Sequence, residues 1–170
     1  TYIIETDTAD KVWDVIERRV RTVVRNARTN LEIGGGIEAG HFRELYESIY
    51  INQRVKPPVN PGIVEKIVEK ISVRDNFDMV TAKENGRVVS AMILLSYGDM
   101  VYAWLSGSLP EKNNTGAFSL LFWHAVEKNC GSGKKLDMVG ANIPSIAFYK
   151  KGFGGTLTPY YAVEKYSSYF

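Results

Sequence analysis

Apolar side chains recur at helical spacing in the N-terminal part of the chain. From Thr8 or Asp10 onward, Val12, Trp13, Ile16, Val20, Val23, Val24 and Ala27 fall at helical spacing, with Asp10 of a residue type that caps helix N-termini, and the spacing predicts one long amphipathic helix. The run "YIIETD" before it is strand-like, and "LEIGG" reads as a short strand ending in a glycine loop. Phe42, Leu45, Tyr46 and Ile49 mark a second helix, which the prolines of "VKPPVNPG" end. Ile63, Val64, Ile67, Val68 and Ile71 mark a third. The period then changes. "FDMVTAKENGRVVSAMILLSYGDMVYAWLSGS" reads as three strands joined by turns at Glu84-Asn85-Gly86 and Tyr97-Gly98-Asp99, an antiparallel meander. Phe118, Leu121, Phe122, Ala125 and Val126 give a helix entered through "EKNNTGA" and left at Cys130-Gly131. "KKLDMVG" is a short buried strand, "IPSIAFYKKGFGG" a short helix stopped by glycine, and "TLTPYYAVEKY" a last strand.

Helices, a meander and then strand-helix-strand-helix-strand make a mixed, mostly antiparallel sheet flanked by helices. The expected class is α+β in layers. A crossover helix that follows a strand turns its first amides to one edge of such a sheet, where anions bind well, and "SLPEKNNTGAF" is such a junction. A helix cap with a polar loop explains the same residues. The 170 residues, 45% hydrophobic, suit one ordinary core, so residues 1–170 are read as a single domain: an N-terminal helical part (1–76) and a sheet core (77–170). A net charge of +2 does not indicate a strongly basic nucleic-acid protein, so any anion binding is local. The single cysteine excludes an internal disulfide, and no apolar run has the length of a membrane span; a soluble cytoplasmic protein is expected.

The stretch from Phe77 to Phe170 resembles the GNAT superfamily of N-acyltransferases, and the motif residues are Asn142, Ser145, Ala147, Phe148, Tyr149, Lys151, Gly152 and Phe153. The spacing between Tyr149 and Gly152 is one residue shorter than the common form. Within the superfamily, "LDMVGANIPSIAFYKKGFGGTLTPYY" is more similar to the Fem-type peptidyl transferases. Asp137, Gly140, Lys150, Lys151, Gly152, Phe153, Gly154 and Gly155 match that group, with Tyr149 where it usually has phenylalanine. "RRVRTVVRNARTNLEI" resembles the arginine-rich helix and strand that precede the Fem-type meander. Fem-type enzymes usually carry two such domains, so the chain is expected to be the C-terminal half of a tandem or a stand-alone relative.

The resemblance implies an N-acyltransferase: an amine attacks an activated carbonyl directly, with acetyl-CoA or another acyl-CoA as the general donor and aminoacyl-tRNA as the rival. The donor's phosphates would meet Asn113, Asn114, Thr115, Gly116 and Ala117, with Asn142 at the following strand end. Its arm would lie between the strand at 102–107 and the strand at 136–140, and amides near Leu105, Ser106 and Gly107 would polarise the carbonyl. The loop lacks the Arg/Gln-x-x-Gly-x-Gly/Ala signature of the common acyl-CoA enzymes. Tyr149 matches a tyrosine placed to protonate a leaving thiolate; Lys150 matches a lysine used near substrate phosphate and the tetrahedral intermediate. The same two residues also read as a core aromatic and a solvated helix-end lysine, with Phe148 and Phe153 as core. No carboxylate stands on the last meander strand, which leaves Asp137 and Asp99 as acids; a buried Asp137 is more often a satisfied structural group than a base.

Arg18, Arg21, Arg25 and Arg28 line one helical face. Asp14 can pair with Arg18 and Glu17 with Arg21, so the stripe is either a solvated face or a tRNA contact. His41 and His124 are too few for a zinc site, and no metal is expected. The reading from another class is a catalytically silent domain of this fold that binds nucleic acid or a protein partner. The acceptor amine would be a small molecule or a peptide.

Overall fold

The computed structural model describes residues 1–161 and 163, without the side chain of Asn113. Strand β1 (Tyr2–Glu5) leads into helices α1 (Ala9–Val15) and α2 (Arg18–Asn30), strand β2 (Glu32–Gly34), and helices α3 (Ala39–Gln53) and α4 (Pro61–Ile71). The meander follows as β3 (Phe77–Glu84), β4 (Arg87–Tyr97) and β5 (Met100–Ser108). A short 3-10 helix at Pro110–Thr115 enters α5 (Ala117–Asn129), and β6 (Lys135–Asp137), α6 (Pro144–Lys151) and β7 (Thr156–Leu157) complete the chain. The class is the expected one. The last strand is two residues long, and its expected continuation past Tyr161 lies largely outside the described residues.

The sheet has the order β2-β3-β4-β5-β6-β1-β7, and only the β5–β6 neighbours run parallel. Helices cover both faces, which is why "VVSAMILL" in β4 is a continuous apolar run rather than an alternating one. Val89, Met92 and Leu94 join one core with α1, α2 and α5, whereas Val88, Ala91 and Ile93 join a second with α3 and α4. The three-residue step from Val89 to Met92 is a bulge, since Ala82 pairs with Ser90 and Lys83 with Val88. One extra residue there keeps the two apolar sets on opposite faces.

The N-terminal helix expected to be continuous is broken. Thr8, rather than Asp10, accepts from the Lys11 amide as N-cap, and the backbone is extended at Ile16 (ψ 134) and Glu17 (ψ 142) before α2 begins. The cause is tertiary: the Glu17 amide donates to the Gly152 carbonyl at 2.9 Å, and a Cβ on Gly152 would stand 2.8 Å from Val20. Ile16, Val20 and Val24 still face inward, so the apolar period survives the break. Val23 does not; it is 40% exposed.

Gly107 on β5 is where α3 meets the sheet. A Cβ there would lie 2.5 Å from backbone atoms of Leu45 and Tyr46, so α3 lies on this strand only because the position is glycine. Gly107→Ala is expected to displace α3 and to destabilise the protein by about 1–3 kcal/mol, the usual range for overpacking, measurable as a lowered urea midpoint.

Candidate active site

β5 and β6 pair only through Met100–Lys135, Val101–Leu136 and Tyr102–Asp137. Two local features end that pairing. On β5, Ile93 faces Leu105 and Leu94 faces Ala103, so Trp104 is a bulged residue two positions beyond the last pair. On β6, the Met138 amide keeps its place in the β1 ladder, donating to the Tyr2 carbonyl at 2.9 Å, while the Val139 amide, which would come next towards β5, donates to the Asp137 carboxylate at 2.7 Å, and the backbone turns into the left-handed region, Val139 at φ 48 and Gly140 at φ 71. The strands therefore part where an inserted ligand was expected.

A cavity of about 540 Å³ opens beside the parted end. Its wall takes Ser106 and Ser108 from β5, Asn114 and Gly116 from the crossover entry, Phe118 and Ser119 from the first turn of α5, and Tyr149 from α6. Val23, Ile49 and Gln53 close it from α2 and α3. Tyr149 and Ser119 are hydroxyl-bonded across it at 2.9 Å. The Tyr149 ring is fixed by Phe118 and Phe153, with centroids 6.0 and 5.5 Å away. Burial pushes its phenol above the ordinary tyrosine value, with the Ser119 hydrogen bond opposing the shift.

The remaining expected site residues are placed differently. Lys150 is buried rather than solvated: its ammonium donates to the carbonyls of Met138 (2.7 Å), Val139 and Gly140 (2.6 Å). Those bonds engage all three of its N–H groups. Burial holds its pKa down to about 8, against the pull of the Asp137 carboxylate. Asp137 accepts from the Thr1 hydroxyl and, at 2.7 Å, from the Val139 amide, so its carboxylate builds the turn at the end of β6. Asn142 donates to the Tyr160 hydroxyl at 2.6 Å and lines another cavity, of about 460 Å³, with Thr1, Ala141 and Leu157. Leu105 packs against the second core, and the Gly107 carbonyl accepts from Ser90 at 3.1 Å.

At the crossover entry, the Thr115 hydroxyl donates to the Lys112 carbonyl (2.7 Å) and accepts from the Ala117 amide (3.4 Å). Gly116 is left-handed (φ 77), and a Cβ on it would meet Val23 at 2.8 Å and Ala27 at 3.2 Å. That glycine serves the close packing of α2 on α5. Lys112 is bonded to Glu84, and no Lys or Arg is among the cavity's lining residues. The side chain of Asn113 lies outside the described residues.

The arginine face of α2 is partly committed. Arg28 pairs with Glu127 of α5, Arg25 sits 5.4 Å from the Trp13 ring centroid, and Arg21 donates to the Trp13 carbonyl at 3.4 Å. Glu17 pairs with Arg19, not Arg21, because α2 starts only after it. Arg19 also donates to the Phe148 carbonyl at 2.8 Å and covers that ring at 4.2 Å; Phe148 is 62% exposed and not core. Among the described residues no group of His, Cys, Asp and Glu could hold a metal, and no helix is long and apolar enough to cross a membrane.

A family model described as an acetyltransferase (GNAT) domain matches residues 18–151. The chain belongs to that family. No curated protein matches it in sequence. Among solved structures it is similar to FemX, at 11% identity and a TM-score of 0.76, over 92% of this chain and 58% of that one. A possible acetyltransferase from Clostridium difficile 630 follows at 13% identity and a TM-score of 0.59, over 83% of this chain and 99% of that one. An aminoglycoside acetyltransferase from an uncultured soil metagenomic sample, solved with sisomicin, gives 13% identity and a TM-score of 0.58 over 82% and 97%. At such identities the likeness shows the fold alone, and the chain spans little more than half of FemX, 58% of its length.

Sequence reasoning missed Ser119, Ser108, Gln53, Val23 and the Trp104 bulge. Ser119 left a trace, as a hydroxyl amid the apolar positions of α5; Gln53 and Val23 left none, because the wall they complete is assembled from distant segments. The hydroxyl pair is expected to be coupled: Tyr149→Phe should cost about 1 kcal/mol, and adding Ser119→Ala should cost little more, in a double-mutant cycle read by urea denaturation.

Proposed function

We propose that this GNAT domain forms an amide by direct attack of an amine on an aminoacyl ester of the aminoacyl-tRNA type, the Fem-type reading, in preference to an acyl-CoA thioester. The observation that carries the proposal is the Tyr149–Ser119 hydroxyl pair in a cavity against the part of β5 that has left β6. A phenol held above its ordinary pKa near 10 is a poor acid for a thiolate, whose parent thiol ionises near 8.5. It is a good proton source for the far more basic alkoxide that leaves from an ester. The fuller overlay of this chain on FemX points the same way.

The steps balance without an outside acid. The neutral amine attacks the ester carbonyl, whose oxygen takes up negative charge towards the Ser106 amide of β5, the one of Leu105–Gly107 that the register turns away from β4. As the intermediate collapses, the C–O bond breaks, Tyr149 protonates the leaving oxygen, and the amine's surplus proton returns to the phenol through Ser119. The net exchange is ester plus amine for amide plus alcohol. A nucleic-acid donor would meet the α2 face through Arg18, Arg21 and Arg25, while Arg28 stays on Glu127.

The test offers the protein two radiolabelled donors, a mixed aminoacyl-tRNA pool and acetyl-CoA, with a panel of peptide and amino-sugar amines. Label is expected to move from the tRNA pool into an acceptor, and Tyr149→Phe to slow the transfer by about 10²-fold or more. Transfer from acetyl-CoA alone would overturn the ester donor. Salt-sensitive RNA binding with no transfer from either would favour the silent, nucleic-acid-binding reading.

A further inference from the structure

The backbone at Val139 is the most strained point beside the site. A β-branched side chain at φ 48 is disfavoured, because its Cβ crowds the backbone in the left-handed region, and such a conformation persists only where the surroundings impose it. Two ionisable side chains impose it here. Asp137 takes the Val139 amide at 2.7 Å, and the Lys150 ammonium gathers three consecutive carbonyls, Met138, Val139 and Gly140. With those carbonyls drawn together, β6 stops at Asp137: the Met138 amide still pairs with β1, but the Val139 amide, the next in line towards β5, is taken by the Asp137 carboxylate instead.

We propose that Lys150, with Asp137, is a positioning clamp: it holds the strained Val139 turn that keeps β6 away from β5, and it opens the donor gap without touching the donor. The resemblance to Fem-type enzymes led to the opposite expectation, an ammonium on the tetrahedral intermediate. Lys150 cannot serve both ends at once, because each of its N–H groups already has an acceptor and the residue is 7% exposed. The functional half of this inference rests on the acyl-transfer reading; the structural half does not.

Relief of strain separates a clamp from a substrate-touching ammonium. If Lys150 serves the turn, a glycine at 139, which adopts the left-handed region without penalty, should make the lysine partly dispensable. Amide hydrogen exchange and acyl transfer are measured for the unaltered protein, Lys150→Met, Val139→Gly and the double variant. Lys150→Met is expected to speed exchange of the Met138 amide by about 10²-fold and to lower transfer by about tenfold or more, and Val139→Gly in that background to recover most of both, a non-additive pair. If Lys150→Met does not fold, folding of the double variant carries the same meaning.

The clamp is overturned if Lys150→Met keeps Met138 protected yet loses transfer that Val139→Gly does not restore, because the ammonium then acts on the substrate. It is overturned equally if the two losses simply add, or if the double variant also fails to fold. Exchange rescue in a protein that transfers from no donor would sustain the clamp and sink the proposed reaction, so the two failures are distinguishable.

Discussion

Three residues of parallel pairing, Met100–Tyr102 against Lys135–Asp137, join the meander half of the sheet to the half built by β6, β1 and β7. A longer ladder would be more stable locally, and would close the gap between the two strands. The short ladder is tolerable because the core beneath it is continuous. Tyr2, Ile4 and Leu136 from one half and Val101, Val80 and Met92 from the other are buried in the same cluster, under Leu121 and Phe122 of α5. Apolar burial, at about 25 cal/mol per Å², holds together what backbone hydrogen bonding does not.

The parting of the strands needs something on each side. β5 contributes the Trp104 bulge, which disrupts its own ladder; β6 contributes a left-handed turn whose amide and carbonyls are satisfied by Asp137 and Lys150. Buried backbone groups must have partners, and a strand that leaves its neighbour exposes a row of them. Charged side chains supply those partners on β6. This accounts for a lysine that is buried at the end of a short surface helix, where a solvated lysine would otherwise be expected.

The aromatic and hydroxyl groups in the cavity belong to the same arrangement. α6 begins three residues after the turn, and on it the residue that orients the turn, Lys150, is adjacent in sequence to the one that faces the cavity, Tyr149. Gly152 then lets α2 approach closely, and its carbonyl receives the Glu17 amide. The motif "FYKKGFGG" thus joins three tasks in one helix end: a phenol for the site, an ammonium for the strand end, and a close contact for the helix that covers both.

Hydrophobic period and turn chemistry alone determined the meander, its two turns, the crossover helix and the α+β class, because each depends on contacts between near neighbours in the chain. The strand–helix junction and the "FYKKGFGG" residues were legible as a motif for the same reason. Whether Phe148 lies inside, whether Lys150 is solvated, where the first helix breaks and which serines face a cavity were decided only by tertiary structure. Each of those outcomes turns on a partner in another element, from Lys150 with the strand end ten to twelve residues before it to Glu17 with Gly152 at the far end of the chain, and side-chain spacing carries no record of either.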